Sequence, residues 1–244
     1  MEIDFEKRYH EVETDNWWFV SRRKYLLDVL KNEPKDSKVL DIGCSSGIFL
    51  NDLKRLGFKK ENIFGIDISE KAIENCKKNG IPNSFVMDAQ KIVLPEKFDI
   101  IVASDCLEHL YDDTGAIKNW YELMKTGGKM YVFVPAFQSL WSKHDDVNMH
   151  YRRYTNKELK NKLINENLSI LKSSYWNFFL FIPLYFFRKI DAILFRNKKK
   201  EGQIIDTKLA NFFLLKLLLF ENSLLKYVNF PFGVSTFCIA KKIN

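Results

Sequence analysis

Between residues 38 and 134, short continuous apolar runs alternate with segments of helical spacing. Lys38-Val39-Leu40-Asp41-Ile42 stops at Gly43 and reads as a buried strand. Ile48, Leu50, Leu53 and Leu56 then recur at helical spacing, between Gly47 and a terminating Gly57. Residues 62–67 form a second strand, after which Ser69 caps a helix with Glu70 in its first turn. Residues 84–87 and 98–103 read as strands and 113–124 as a helix. Thr126-Gly127-Gly128 turns into a fifth strand at 129–134. Strands alternating with helices of about ten residues predict βαβ units and a parallel sheet. A helix at 156–165 and strands at 168–176 and 234–241 extend the pattern.

Residues 177–232 break the alternation. Residues 175–187 are apolar apart from Asn177 and hold Pro183, which is expected to kink a helix, and Arg188-Lys189 follow. On a helix over 208–227, Lys208, Asn211, Lys216, Asn222, Ser223 and Lys226 fall within an arc of roughly 140°, with Glu221 outside it. Two readings stand for this aromatic, basic, amphipathic insertion. One is a helix in a membrane interface, drawn to anionic lipid with the help of Lys198-Lys199-Lys200. The other is a lid packed on the sheet, or a homodimer contact, with lysine stems running outward. The expected organisation is a domain of 1–176 and 233–244, with an N-terminal helical cover over 1–35 and the insertion at 177–232.

Composition narrows the partners. The 244 residues suit one large α/β domain, and no run of eighteen apolar residues predicts a single-pass span. Nine Lys/Arg against four Asp/Glu in the insertion supply five of the seven net positive charges, so nucleic acid is not the expected partner. The charged start, Met1-Glu2-Ile3-Asp4-Phe5-Glu6-Lys7-Arg8, is unlike a signal peptide. Cys44, Cys76, Cys106 and Cys238 lie far apart in sequence without a C-x-x-C. A cytoplasmic location is therefore expected, peripheral at the inner membrane face if the insertion meets lipid.

In open parallel sheets, ligands bind outside the carboxyl ends of the strands. Asp41-Ile42-Gly43-Cys44-Ser45-Ser46-Gly47 leaves the first strand there, with glycines that allow close backbone approach. Asp67 ends the second strand, about twenty residues beyond the glycine loop, where a carboxylate can take both hydroxyls of a ribose. Met87-Asp88-Ala89 ends the third and Ser104-Asp105-Cys106 the fourth. Taken singly, the loop could be a plain strand–helix turn and each aspartate a helix cap. A nicotinamide site would want G-x-G-x-x-G, whereas the loop here is G-x-x-x-G.

Together, DIGCSSG, GIDIS, MDAQ, FDIIVASDCLEHL and LMKTGGKMYVFVPA resemble the class I S-adenosylmethionine-dependent methyltransferases. The closest likeness is to the small-molecule group that includes the ubiquinone-biosynthesis enzymes. The resemblance covers 38–135 and, more loosely, 136–176 and 234–241. It implies a Rossmann-like, seven-stranded, mostly parallel sheet with helices on both faces and the insertion before the last strand. It also implies S-adenosyl-L-methionine as cofactor. Gly43 and Gly47 would wrap its methionine part, with Asp41 bracing the loop. Asp67 would bind the ribose, Ile68 would pack on the adenine, Asp88 and Ala89 would meet the adenine edge, and Ser104 would face the methionyl ammonium. Ser45 stands where the family has its middle glycine, a change that is tolerable if its φ stays below zero.

On the acceptor side, His109, His144 and His150 are candidate bases and Arg152, beside Arg153, a candidate anion holder. No metal is assigned. For Glu108-His109 the plainer reading is a helix start, and for 144–155 a solvated loop whose arginines pair carboxylates at the sheet edge. Trp17-Trp18-Phe19 with Arg22-Arg23 is expected to cover the cofactor edge. The expected function is methyl transfer to a small-molecule or lipid-linked acceptor at oxygen. The alternative is a non-catalytic S-adenosylmethionine-binding or membrane-scaffold protein.

Overall fold

The computed structural model describes residues 13–194 and 207–243. Seven strands form one sheet in the order β3-β2-β1-β4-β5-β7-β6. They are β1 (Val39–Ile42), β2 (Ile63–Asp67), β3 (Ser84–Val86), β4 (Phe98–Ser104), β5 (Met124–Pro135), β6 (Leu168–Trp176) and β7 (Ser235–Lys242). The first five pair in parallel, and β7 runs antiparallel between β5 and β6.

Alternation along the strands divides the core into two layers. Val39 packs with Leu30, Leu50, Leu53 and Ile73, on the side of α1 (Trp17–Leu30), α2 (Ile48–Arg55) and α3 (Glu70–Lys78). Leu40 and Ile42 face the other way, with Ile117, Trp120, Leu159 and Leu163 of α4 (Asp113–Leu123) and α6 (Asn156–Asn165). Side-chain caps start these helices where the sequence places them. Ser69 accepts from the Ala72 amide at 3.2 Å, and Thr155 with Glu158 forms a capping box. The strand order reverses between β1 and β4, so the switch point falls at their carboxyl ends.

Three features depart from expectation. The Thr126-Gly127-Gly128 turn lies inside a twelve-residue β5, beside a register shift between Phe98 and Ile100 of β4. The loop after β5 holds a short helix, α5 (Lys143–Val147). Cys44 and Cys76, distant in sequence, meet with their sulfurs 3.8 Å apart beneath the glycine loop.

The insertion is helical, as α7 (Phe178–Leu194) and α8 (Lys208–Leu224), and Pro183 is accommodated inside α7. The lysines of the stripe, Lys208, Lys216 and Lys226, are exposed, whereas its asparagines are engaged by the domain. Asn211 accepts from the Trp17 amide at 2.7 Å, Asn222 joins the Trp176 indole (2.8 Å) to the Ser21 carbonyl (2.9 Å), and Lys226 pairs with Asp28 at 2.6 Å. The two asparagines satisfy backbone and side-chain partners on and around α1, which is why they turn inward, while Lys226 pairs at the surface. Phe212, Phe213 and Phe220 of α8 and Phe186 and Phe187 of α7 are instead more than half exposed. Residues 1–12 of the expected cover, and Lys198-Lys199-Lys200, lie outside the described residues.

Candidate active site

The glycine loop is a tight left-handed crossing. Gly43, Ser45 and Gly47 have φ of 76°, 48° and 77°. The amides of Gly43 and Cys44 both reach the Ile66 carbonyl at 2.9 Å, so the loop is tied to the end of β2. Asp67 completes the tie, accepting from the Ser45 amide at 3.0 Å and from the Ser69 amide at 2.9 Å. Ser45 thus corrects the expectation of a negative φ. A left-handed non-glycine residue costs about 1 to 2 kcal/mol. Bonds to Glu13 offset part of that cost, from the hydroxyls of Ser45 (3.0 Å) and Ser46 (2.8 Å). A Cβ at Gly47 would meet the Cys76 sulfur at 2.8 Å, and one at Gly43 would press on Cys106 at 3.3 Å.

Beside the loop opens a cleft whose walls include Glu13, Trp18, Arg22, Asp41, Gly43, Ser104 and Asp105. Burial pushes the Asp41 carboxyl up to about 8, helped by the negative charges of Asp67 and Glu13. Arg22 crosses the cleft from α1 to Asp105 at 2.5 Å, with Ser235 and Ser104 hydroxyls at 3.2 and 3.4 Å. Its guanidinium sits against the rings of Trp176, Trp18 and Phe133 at 4.6 to 5.4 Å.

Of the predicted cofactor residues, Asp41, Gly43 and Ser104 line this cleft, Gly47 closes the loop and Asp67 braces it. Ile68, 76% exposed, follows β2. Asp88 and Ala89 follow β3, where Asp88 accepts from the Gln90 amide and the Ala89 carbonyl accepts from the Trp120 indole, both at 2.8 Å. Glu13, Arg22 and Asp105 are additions. Arg22-Arg23 beside the tryptophan pair was the visible signal for one of them.

The acceptor-side histidines lie along the same sheet edge. Cys106 leads β4 into a 3-10 turn over Leu107–His109. His109 packs edge-to-face on His150, ring centroids 4.5 Å apart. Burial, then His150, pushes the His109 imidazole down to about 4. His150 Nδ1 lies 2.9 Å from Asp145 Oδ1. Glu108 is fully buried, and neither carboxyl oxygen has a hydrogen-bond partner among the described residues. Glu108, His109 and His150 each bring a ligand atom within 4.8 Å of the others, the span a single cation could bridge.

His144 precedes Asp145 on α5, and burial pushes its imidazole down to about 4. Arg152 is not brought to this cluster. It pairs with Asp113 at 3.0 Å and donates to the Tyr111 carbonyl at 2.7 Å, holding the loop to the start of α4. Its neighbour Arg153 is the buried one, bidentate to Asp145 at 2.7 and 3.1 Å.

Residues 40–132 match a family described as a methyltransferase domain. Over 104 residues the chain is 36% identical to a ubiquinone biosynthesis O-methyltransferase from Pelagibacter ubique (strain HTCC1062), covering 40% of this chain and 42% of that protein. The chain thus spans about two fifths of the curated relatives it matches. A SAM-dependent methyltransferase structure from Archaeoglobus fulgidus superposes with a TM-score of 0.61 at 20% identity, over 96% of this chain and 99% of the other. The N-methyltransferase NodS from Bradyrhizobium japonicum WM9, solved with S-adenosyl-L-homocysteine, gives 0.60 at 16% identity over 95% and 91%. With its motifs in register at the strand ends, the 40–132 segment is thus similar to a methyltransferase domain, and the whole chain shares the Rossmann-like seven-stranded fold of S-adenosylmethionine-dependent methyltransferases.

Proposed function

We propose that the chain methylates an oxygen of a small-molecule or lipid-linked acceptor. The observation that carries this reading is the placement of two clusters on one sheet edge. The cleft at the ends of β1 and β4 adjoins, through the 104–109 segment, the His109–His150 pair.

The residues present suit S-adenosylmethionine. Its sulfonium and ammonium are cations, and Glu13, Asp41 and Asp105 supply carboxylates around the cleft. Gly43 lines the cleft with backbone alone, and a Cβ there or at Gly47 would press on Cys106 or Cys76, so the loop keeps its tight path beside the cleft. In this reading Gly43, Gly47 and Ser104 hold the methionine part, with Asp41 behind the loop. Asp67 takes the ribose, and Ile68, Asp88 and Ala89 take the adenine. The cofactor supplies an electrophilic methyl group. The chain's task is then to align the acceptor, exclude water and remove a proton. In this reading His150 and His109 take the proton, His144 lies on α5 beside Asp145, and Arg152 fixes the loop. The oxygen assignment is supported by the name of the curated relatives.

The insertion is assigned to an anionic membrane surface. Exposed Phe186, Phe187, Phe212 and Phe213, with exposed Lys189, Lys208 and Lys216 on the same two helices, suit an interfacial position. Among the described residues no helix is long and apolar enough to cross a membrane. α7 also reaches the loop after β5. Phe181 packs on Phe137 at 5.5 Å and Arg188 donates to the Leu140 carbonyl, so a lipid-borne acceptor would arrive beside the histidines.

Calorimetric titration with S-adenosylmethionine tests the first half. Micromolar binding, about −8 kcal/mol, lost in Asp67→Ala, is expected. Release of S-adenosylhomocysteine with prenylated phenols then separates an enzyme from a non-catalytic binder. Co-sedimentation with anionic but not neutral vesicles tests the membrane assignment, and a concentration-dependent dimer that ignores both would replace it.

A further inference from the structure

Asp145 is a fully buried carboxylate whose backbone, hydroxyl and guanidinium partners are all donors. Ser142 gives its amide at 2.8 Å and its hydroxyl at 3.2 Å, and Arg153 gives Nε at 2.7 Å and Nη2 at 3.1 Å. Such a set holds the carboxylate ionised, well below the usual range. An ionised carboxylate accepts only, so the ring nitrogen 2.9 Å away carries the proton. That nitrogen is Nδ1 of His150. A neutral imidazole protonated there has its lone pair on Nε2, the opposite of the arrangement free histidine favours.

The frame behind this pair is rigid. Arg153 Nη1 donates to the Ala136 carbonyl at 3.0 Å, and the Arg153 amide donates to Gln138 Oε1 at 3.2 Å, so the guanidinium is locked to the end of β5. The Tyr151 amide donates to the Glu108 carbonyl at 2.8 Å, pinning the chain after His150 to the end of β4. The imidazole is thus fixed from both strands whose carboxyl ends flank the acceptor position.

We propose that Asp145, clamped by Arg153, is a positioning residue that fixes His150 as the Nδ1–H tautomer and leaves Nε2 as the base that takes the acceptor's proton. The inference rests on the methyltransferase reading above and narrows it to acceptors with an exchangeable proton on the attacking atom, a phenol or alcohol. As the acceptor O–H bond breaks, its pair stays on oxygen and forms the O–CH₃ bond. The C–S bond breaks with its pair left on sulfur, and the proton passes to Nε2 and on to solvent. His150 is the candidate catalytic residue; Asp145 and Arg153 act only through it.

Long-range ¹H–¹⁵N correlation spectra of the full chain, labelled at histidine and saturated with S-adenosylhomocysteine at about pH 8, read the tautomer directly. The chain has four histidines, so loss of one pattern in His150→Gln assigns it. A protonated Nδ1 on His150 is expected in the parent chain, lost in Asp145→Asn and kept in Asp145→Glu. With a turned-over acceptor, Asp145→Asn should lower kcat by about 100-fold or more while both KM values stay within about threefold. Asp145→Glu should recover part of that loss. An Nε2–H His150 in the parent chain overturns the inference, whether or not any variant folds, and leaves the methyltransferase reading intact. Failure to bind the cofactor, by contrast, removes that reading while the tautomer is still measured. Equal falls in kcat for Asp145→Asn and Asp145→Glu with an unchanged tautomer also overturn it.

Discussion

Arg22 on α1 and Asp105 after β4 are 83 positions apart, yet they close to 2.5 Å inside the cleft, with the arginine side chain 4% exposed. Three aromatic rings and the Ser235 hydroxyl surround the guanidinium, so little of its charge is shared with water. Removing Arg22 leaves the Asp105 charge, 26% exposed, without its partner. Arg22→Ala should therefore lower stability by about 1.5 to 3 kcal/mol, the range of a lost charge-assisted bond. Arg22→Lys, which keeps charge but loses the fork, should fall between. Urea unfolding of the three chains checks the order. Parent-like stability in Arg22→Ala would mean that Asp105 finds another partner.

The same pair shows where sequence reading stops. Strands and helices were legible because burial and capping are local. Residues 156–165 and 168–176 took the predicted element with the predicted ends, and the carboxyl-end placement of Asp41, Asp67, Asp88 and Ser104 followed from the strand pattern. Arg22–Asp105 and Asp145–Arg153 depend on approaches that no periodicity encodes. In the 144–155 loop, adjacent arginines look alike in sequence. Arg152 is the expected anion holder, yet Arg153 is the one turned inward, because only the folded loop decides which side faces Asp145. Ser45 takes a positive φ for a different reason. Its φ is dictated by the bonds that tie the loop to Ile66 and Asp67, not by its own preference.

Glu221, the one polar residue outside the stripe on α8, is fully buried and accepts from the amides of Asn177 (2.6 Å) and Phe179 (3.3 Å). It caps α7 from another helix. Burial raises its carboxyl above the usual value, against the pull of those amides. Glu221→Ala should cost about 1 to 2 kcal/mol, the range of a lost cap. The loss should be localised, with faster proteolysis within 178–194 and unchanged protection of β1 and β4 in hydrogen exchange. Uniform loss of protection would contradict a local cap.

Exposed phenylalanines on α8 give a separable prediction for lipid. Phe212→Ser with Phe213→Ser removes apolar surface that contributes little to the core, since the side chains are 54% and 61% exposed. Co-sedimentation with anionic vesicles should drop about tenfold or more, at about 1.5 kcal/mol per lost insertion. The unfolding midpoint should stay within about 0.5 kcal/mol of the parent. If the midpoint falls while vesicle binding persists, the face is a packed surface instead.

Asp41 makes stability depend on pH in a direction opposite to that of a salt-bridged carboxylate. Its folded value of about 8 lies far above the roughly 3.9 of an unfolded chain. Below about pH 4 both states hold the proton and Asp41 imposes no penalty. Between about 4 and 8 the unfolded chain has released a proton that the folded chain retains, so the unfolded state gains and stability falls as pH rises. Above about 8 the folded carboxyl ionises as well and the decline levels off. Asp41→Asn removes the titrating group. The gap between parent and variant should therefore shift steadily in favour of the variant from pH 5 to 8 and then stop changing. Cofactor binding should act on the same proton, because a cation beside Asp41, Asp67 and Glu13 favours the ionised form. Near pH 7 the titration should release a fraction of a proton, visible as a binding enthalpy that changes with the ionisation heat of the buffer, and Asp41→Asn should abolish that dependence. A parallel pH profile for both chains would show that Asp41 ionises normally within the fold.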